Sequence, residues 1–72
     1  MKNLSELKAE EKSRIVSVNG DSRFVSRITS IGLTPGCEIS IVKNERHRPI
    51  LVWARDTMIA LNSKECANIE VE

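Results

Sequence analysis

Asp21–Val42 reads DSRFVSRITSIGLTPGCEISIV: a helix, a helix stop, a tight turn and a strand with no spare residue between them. Apolar Phe24, Val25, Ile28 and Ile31 recur at i, i+1, i+4 and i+7, one face of a helix of period 3.6. Arg23, Ser26, Arg27, Thr29 and Ser30 supply the wet face. Asp21 suits the N-cap, because its carboxylate can accept from the unpaired N–H groups of the first turn. Gly32 stands where a helix leaves through a left-handed residue, with Leu33 placed to fold back onto the last turn. Thr34-Pro35-Gly36-Cys37 has the pattern of a type II turn, in which Pro35 fixes φ and Gly36 supplies the positive φ. Cys37, Ile39 and Ile41 then alternate with Glu38 and Ser40, which predicts a half-buried strand. Gly32, Pro35 and Gly36 are therefore structural corner residues.

Upstream, Leu4 and Leu7 of LSEL are placed to pin the start of the chain to the core, ahead of a polar corner at Lys8–Glu11. Lys12–Asn19 is β-branched and alternating enough for a strand, with Val16 and Val18 expected on one face. Asn19-Gly20 marks a turn before the Asp21 cap. Downstream, Lys43–Arg48 (KNERHR) reads as a loop, and Pro49 opens a strand at Ile50–Ala54. A turn at Arg55–Thr57 leads to a strand at Met58–Leu61. Ser63–Ala67 has room for one helical turn capped by Ser63, and Asn68–Val71 for a last strand. Five short strands with one inserted helix imply a small, curled antiparallel barrel, since rolling the sheet shields its apolar face and its edges together.

The 72 residues fit a single domain near the lower limit for a self-standing core. Such a chain buries roughly 60% of its unfolded surface, leaving little material for an interior cleft. Eleven basic and ten acidic residues give a net charge of +1, so no broad field steers it to nucleic acid or an anionic membrane. No apolar run approaches a membrane span, and the first twenty residues hold no signal-peptide core, so the expectation is a cytoplasmic protein without membrane insertion. Cys37 and Cys66, 29 positions apart, form no C-x-x-C pair and read as reduced and packed.

Several motifs taken together resemble one family. Ile31-Gly32-Leu33-Thr34-Pro35-Gly36 followed by Glu38-Ile39-Ser40-Ile41 resembles the LGL-x-PG-x-x-V-x-V signature of the ferrous iron transport protein A (FeoA) family. Leu4-Ser5-Glu6-Leu7-Lys8 looks like its opening LSELKPGE, with Ala9 and Glu10 where Pro and Gly are usual. Arg14-Ile15-Val16 looks like its first long strand, Pro49-Ile50 resembles the P-I of its third strand, Ala60-Leu61 its A-L pair, and Glu65–Val71 its closing E-A-x-x-I-x-V, with Cys66 in place of Ala. The family's P-L-G-D-P-I loop is here Glu45-Arg46-His47-Arg48-Pro49-Ile50, and Asp56 replaces a glycine in the following turn. The resemblance implies an SH3-like barrel and a non-enzymatic cytosolic accessory protein of bacterial ferrous iron uptake. Its implied partner is the membrane transporter FeoB, which carries a cytosolic GTPase domain.

Four residues are candidates for partner binding. If Ile50, Val52 and Ala54 face inward, alternation sends Leu51 and Trp53 outward, where Met58 of the next strand could join them. Either they form a second small core under the amino-terminal arm, or they are an exposed patch for a partner or for self-association. Arg23 and Arg27 share the wet helix face, either as solvated surface or as a docking face for an acidic patch.

Rival functions leave weaker traces. His47 lies between Arg46 and Arg48, a poor setting for a dication, and neither cysteine has ligand spacing to it, so no metal or other cofactor is expected. No phosphate loop or nucleophile–base arrangement suggests an enzyme. A nucleic-acid module could use Arg46, Arg48 and Arg55 beside Trp53, but two aromatic residues and near-neutral charge argue against it. A stand-alone regulatory domain, like the carboxy-terminal barrel of some iron-dependent repressors, is the other alternative.

Overall fold

The central corner forms as its residues dictate. In the computed structural model, which describes residues 2–72, helix α1 spans Ser22–Ser30. The Asp21 carboxylate accepts from the Phe24 N–H at 2.8 Å. At the far end Gly32 has φ +96°. Its N–H donates to the Thr29 carbonyl at 3.0 Å, and the Leu33 N–H donates to the Ile28 carbonyl at 3.2 Å. Those two bonds define a Schellman ending, which satisfies carbonyls the helix would otherwise leave open. Leu33 is thereby swung into the core, where it is fully buried beside Ile28. Ile31, expected on the buried face, is instead 43% exposed. It is the C-cap, and the reversal at Gly32 hands its place in the core to Leu33.

The following turn is type II as expected: Gly36 has φ +91°, and the Cys37 N–H donates to the Thr34 carbonyl at 2.9 Å. It is also bolted to the first long strand. The Gly36 N–H donates to the Ile15 carbonyl at 2.8 Å, and the Ile15 N–H donates to the Cys37 carbonyl at 2.9 Å.

Six strands lie in one antiparallel sheet: β1 (Lys2–Asn3), β2 (Lys12–Val18), β3 (Glu38–Lys43), β4 (Ile50–Ala54), β5 (Thr57–Leu61) and β6 (Ile69–Val71). Their spatial order is β1-β6-β2-β3-β4-β5. The first half of β2 pairs with β3 and the second half with β6, so the sheet folds over along this one strand. A bulge between Ile15 and Ser17 resets the alternation there. Ile15, rather than Val16, is the buried residue, and Val18 packs against the core from the other side of the bulge. The amino-terminal arm adds what the sequence did not suggest, a two-residue strand on β6 and a 3-10 turn at Leu4–Glu6. Leu4 and Leu7 are buried as expected. Helix α2 (Ser63–Ala67) is capped by Asn62 and not by Ser63: the Asn62 side chain accepts from the Glu65 N–H, and the Glu65 carboxylate accepts from the Asn62 N–H.

The core holds only apolar side chains and two thiols, from Leu4 to Val71, with no buried polar or charged residue among those described. Each fully buried Leu or Ile contributes on the order of 1.5–3 kcal/mol. Stability therefore rests on a small number of side chains and on the turns that deliver them.

Three of those turns carry strain. Glu10 (φ 73°), His47 (φ 64°) and Asp56 (φ 59°) occupy the left-handed region, and each stands where the resembled family has glycine. In an L-residue this conformation costs roughly 1–2 kcal/mol, less for Asp. Glu10→Gly and His47→Gly should accordingly raise unfolding free energy in urea by roughly 0.5–1 kcal/mol each, after the entropic cost of glycine. Asp56→Gly should gain less. The opposite change at the helix exit is costly: a Cβ on Gly32 would lie 2.8 Å from the Arg55 Cδ, whereas one on Gly36 meets nothing within 4 Å. Gly32→Val should lose more than ~1 kcal/mol and more than Gly36→Val, measured by the same denaturation. Equal losses would show that positive φ alone sets the penalty.

Candidate functional site

Strand β4 sorts its residues cleanly. Ile50, Val52 and Ala54 are buried, while Leu51 is half-buried and Trp53 is 43% exposed on the outer face. Period-two alternation in a sheet with one wet face requires this division. The register then builds a patch. Trp53 lies opposite Met58 of β5 on one side and Ser40 of β3 on the other, and Leu51 lies opposite Ala60. Met58 is 49% exposed. Val42, the next residue after buried Ile41, also faces outward by the same alternation and is 38% exposed, and a bulge between Ile41 and Lys43 sets Lys43 rather than Val42 opposite Leu51. The amino-terminal arm docks on β6, at the other end of the sheet, so no second core forms over Trp53.

Two shallow hollows flank this patch. One, of about 500 Å³, is lined by Trp53 with Lys12, Ser40, Arg55 and Asp56. The other, of about 190 Å³, lies by Leu51 and Ala60 under Lys43, Arg48 and Pro49. Both are open surface grooves rather than cavities. The basic candidates for nucleic acid do not gather: Arg55 lines the first hollow, Arg48 the second and Arg46 neither, with Arg48 and Arg55 at opposite ends of β4, roughly 20 Å apart along an extended chain. Arg55 has a structural tie of its own, its Nε donating to the Gly32 carbonyl at 2.9 Å. The β4–β5 turn is thus fastened to the helix exit.

The two helix arginines differ. Arg27 pairs with Glu65 and lies over the Phe24 ring, 5.8 Å from its centroid, which links α1 to α2. Arg23 is exposed and has no ion pair among the described residues. His47 lies on the exposed loop, far in character from the buried Cys37 and Cys66. Among the described residues no three His, Cys, Asp or Glu side chains come together as a metal site.

With the geometry in hand, comparison with known proteins decides the family. The sequence profile of the FeoA domain matches residues 2–72. The chain belongs to the FeoA family. That family is associated with ferrous iron transport and is not a known enzyme family. A crystal structure of an iron uptake regulatory protein, FeoA, superposes with a TM-score of 0.91 at 24% identity, over 97% of this chain and 93% of that one. The iron(II) transport protein A of Clostridium thermocellum is 30% identical with a TM-score of 0.89, over 97% of this chain and 44% of its own. Stenotrophomonas maltophilia FeoA complexed with zinc, described as a prokaryotic SH3 domain protein, gives 25% identity and a TM-score of 0.87, over 100% of this chain and 91% of its own. Among curated proteins no sequence matches. The mostly β, SH3-like barrel expected from the sequence is the fold of this family member, and no described helix is long and apolar enough to cross a membrane.

The free Cys66 is fully buried, and burial pushes its thiol up from 9.0 to about 12. The unfolded chain ionises this thiol near 9 and the folded chain only near 12, so the folded state holds the proton more tightly. Its contribution is full below pH 9 and is lost as pH rises towards about 12. Unfolding free energy measured across that window should fall more steeply for the parent than for Cys66→Ala. Parallel curves would place the thiol in contact with water.

Proposed function

We propose that this FeoA-family chain is a non-enzymatic accessory protein of ferrous iron uptake. It docks on the cytosolic GTPase part of a FeoB-type transporter through the outer face of β4 and β5. The observation that carries this reading is the exposed Trp53–Met58 cross-strand pair, extended by Leu51 and Val42. Tryptophan at the centre of an apolar patch with a polar rim is the usual anchor of a protein interface. The rim is polar and mixed in sign, with Lys12, Lys43, Arg48 and Arg55 set among Glu38, Glu45 and Asp56, and Arg48 already pairs with Glu45, which suits a partner that brings charges of both signs. Arg23 is the candidate contact on the second face. Arg27 would join it only by giving up its Glu65 partner. The description of the S. maltophilia relative as a candidate ferrous iron transport activating factor supports the same assignment.

An adaptor of this kind changes transporter activity only if it binds two states of the transporter, such as the nucleotide states of its GTPase, with different affinities. Titration of labelled protein with the soluble GTPase domain, with and without nucleotide, should move amide resonances around Trp53 and Met58. Trp53→Ser should keep the folded spectrum and weaken binding roughly tenfold or more, as truncating an interface anchor does. Arg23→Glu should change the association rate and its salt dependence only if α1 takes part. A Trp53→Ser protein that binds as tightly as the parent would remove this face from the contact. Resonances that move with a short RNA instead would favour the nucleic-acid reading.

A further inference from the structure

Strand β5 ends the sheet, and its outer edge is unpaired. The turn before it has two residues, Arg55 and Asp56, both with positive φ, so Ala54 and Thr57 form the hydrogen-bonded pair that closes a tight hairpin. Alternation from that pair turns the backbone groups of Thr57, Ile59 and Leu61 towards β4. Those of Met58 and Ala60 face the free edge. Natural edges are blunted by charge, proline, bulges or short length. Here β5 reads Thr-Met-Ile-Ala-Leu, runs five residues in unbroken register with β4, and carries none of these. Thr57, Met58 and Ala60 are exposed along it.

We infer that β5 pairs antiparallel with β5 of a second copy of this chain, about a two-fold axis through Ile59. Only this register uses every free group of both strands: Met58 exchanges both bonds with Ala60 of the other copy, and Ala60 with Met58. On the inner side Ile59, half-buried in one copy, meets Ile59 of the other and completes its burial. On the outer side the Trp53–Met58 row runs on into Ala60 and Leu51 of the second copy, so two separate apolar patches become one. The charges agree. Antiparallel pairing carries Asp56 of each copy to the Asn62–Lys64 end of the other, and neither Asp56 nor Lys64 has an ion-pair partner within the chain among the described residues. Such a contact is isologous and closes on itself, leaving only the two-residue β1 edges at the ends. A stable dimer buries roughly 800 Å² per partner, about one-sixth of the 4755 Å² surface here. A five-residue edge falls short of that, so the dimer is weak and forms with concentration.

Sedimentation equilibrium of the full chain alone tests this without any transporter, so its outcome is separate from that of the docking reading. From dilute solution up to about 1 mM, a range that populates weak contacts, the apparent mass should climb from 8.1 kDa towards twice that value. Ala60→Pro, which removes a donor facing the free edge and none facing β4, should stay monomeric while keeping the amide spectrum of a folded chain. Met58→Lys should do the same if proline proves to disturb the strand. A parent that remains at 8.1 kDa throughout overturns the proposal. So does a dimer that survives both edge variants, or one lost in Trp53→Ser but kept in Ala60→Pro, which would move the contact to the outer face.

Discussion

The reversal at Gly32 is the constraint on which the remaining structure depends. A nine-residue helix must end and the chain must start a core strand at Glu38 within eight residues. Glycine at φ +96° permits this, and the two Schellman bonds satisfy the helix carbonyls while Leu33 enters the core. From there the 34–37 turn grips both backbone groups of Ile15, which places β2 against β3 at the point where β2 also bends towards β6. Arg55 closes the circuit by binding the Gly32 carbonyl from the opposite end of the sheet. Helix exit, sheet bend and β4–β5 hairpin are therefore one mechanical unit.

That unit leaves the outer face of β3, β4 and β5 free for contacts. Its inner face is occupied by Ile39, Ile41, Ile50, Val52 and Leu61, all buried, so alternation must send the intervening residues to solvent. In a core with no buried polar group, stability makes no demand on what those outward residues are. Trp53 and Met58 are consequently a choice made for the surface. By contrast, α1 spends its polar face partly on structure, because Arg27 bridges to Glu65 of the α2 capping box. The two candidate faces thus differ in how freely they can serve a partner.

The strained loops add a further contrast. Glu10, His47 and Asp56 hold left-handed conformations without glycine. The Glu10 N–H donates to the Ile41 carbonyl at 2.7 Å, and Asn44 donates to the Ser5 and Leu7 carbonyls, which fix the flanking segments firmly enough to impose the path. Tertiary bonds thus override local preference at Glu10 and around the 44–48 loop, whereas Asp56 lies in a two-residue hairpin turn whose geometry itself requires positive φ.

Much of the fold was legible in the sequence because it is written in local chemistry. The Asp21 cap, the Gly32 exit, the Pro35-Gly36 turn and the alternation of β3 and β4 each follow from residues within a few positions of one another. Membership of the FeoA family was legible for the same reason, since its motifs are those corners. Sequence alone could not set the phase of β2, where one bulged residue exchanges Val16 for Ile15 in the core. Nor could it place Ile31, exposed because Leu33 takes its position, or assign the α2 cap to Asn62. The exposure of Trp53 was likewise a tertiary decision. Alternation gave its direction, but only the pairing of Lys2–Asn3 with Glu70–Val71 determined that the amino-terminal arm would lie elsewhere. Pairings between distant segments depend on how the whole sheet closes, and no local run of residues records them.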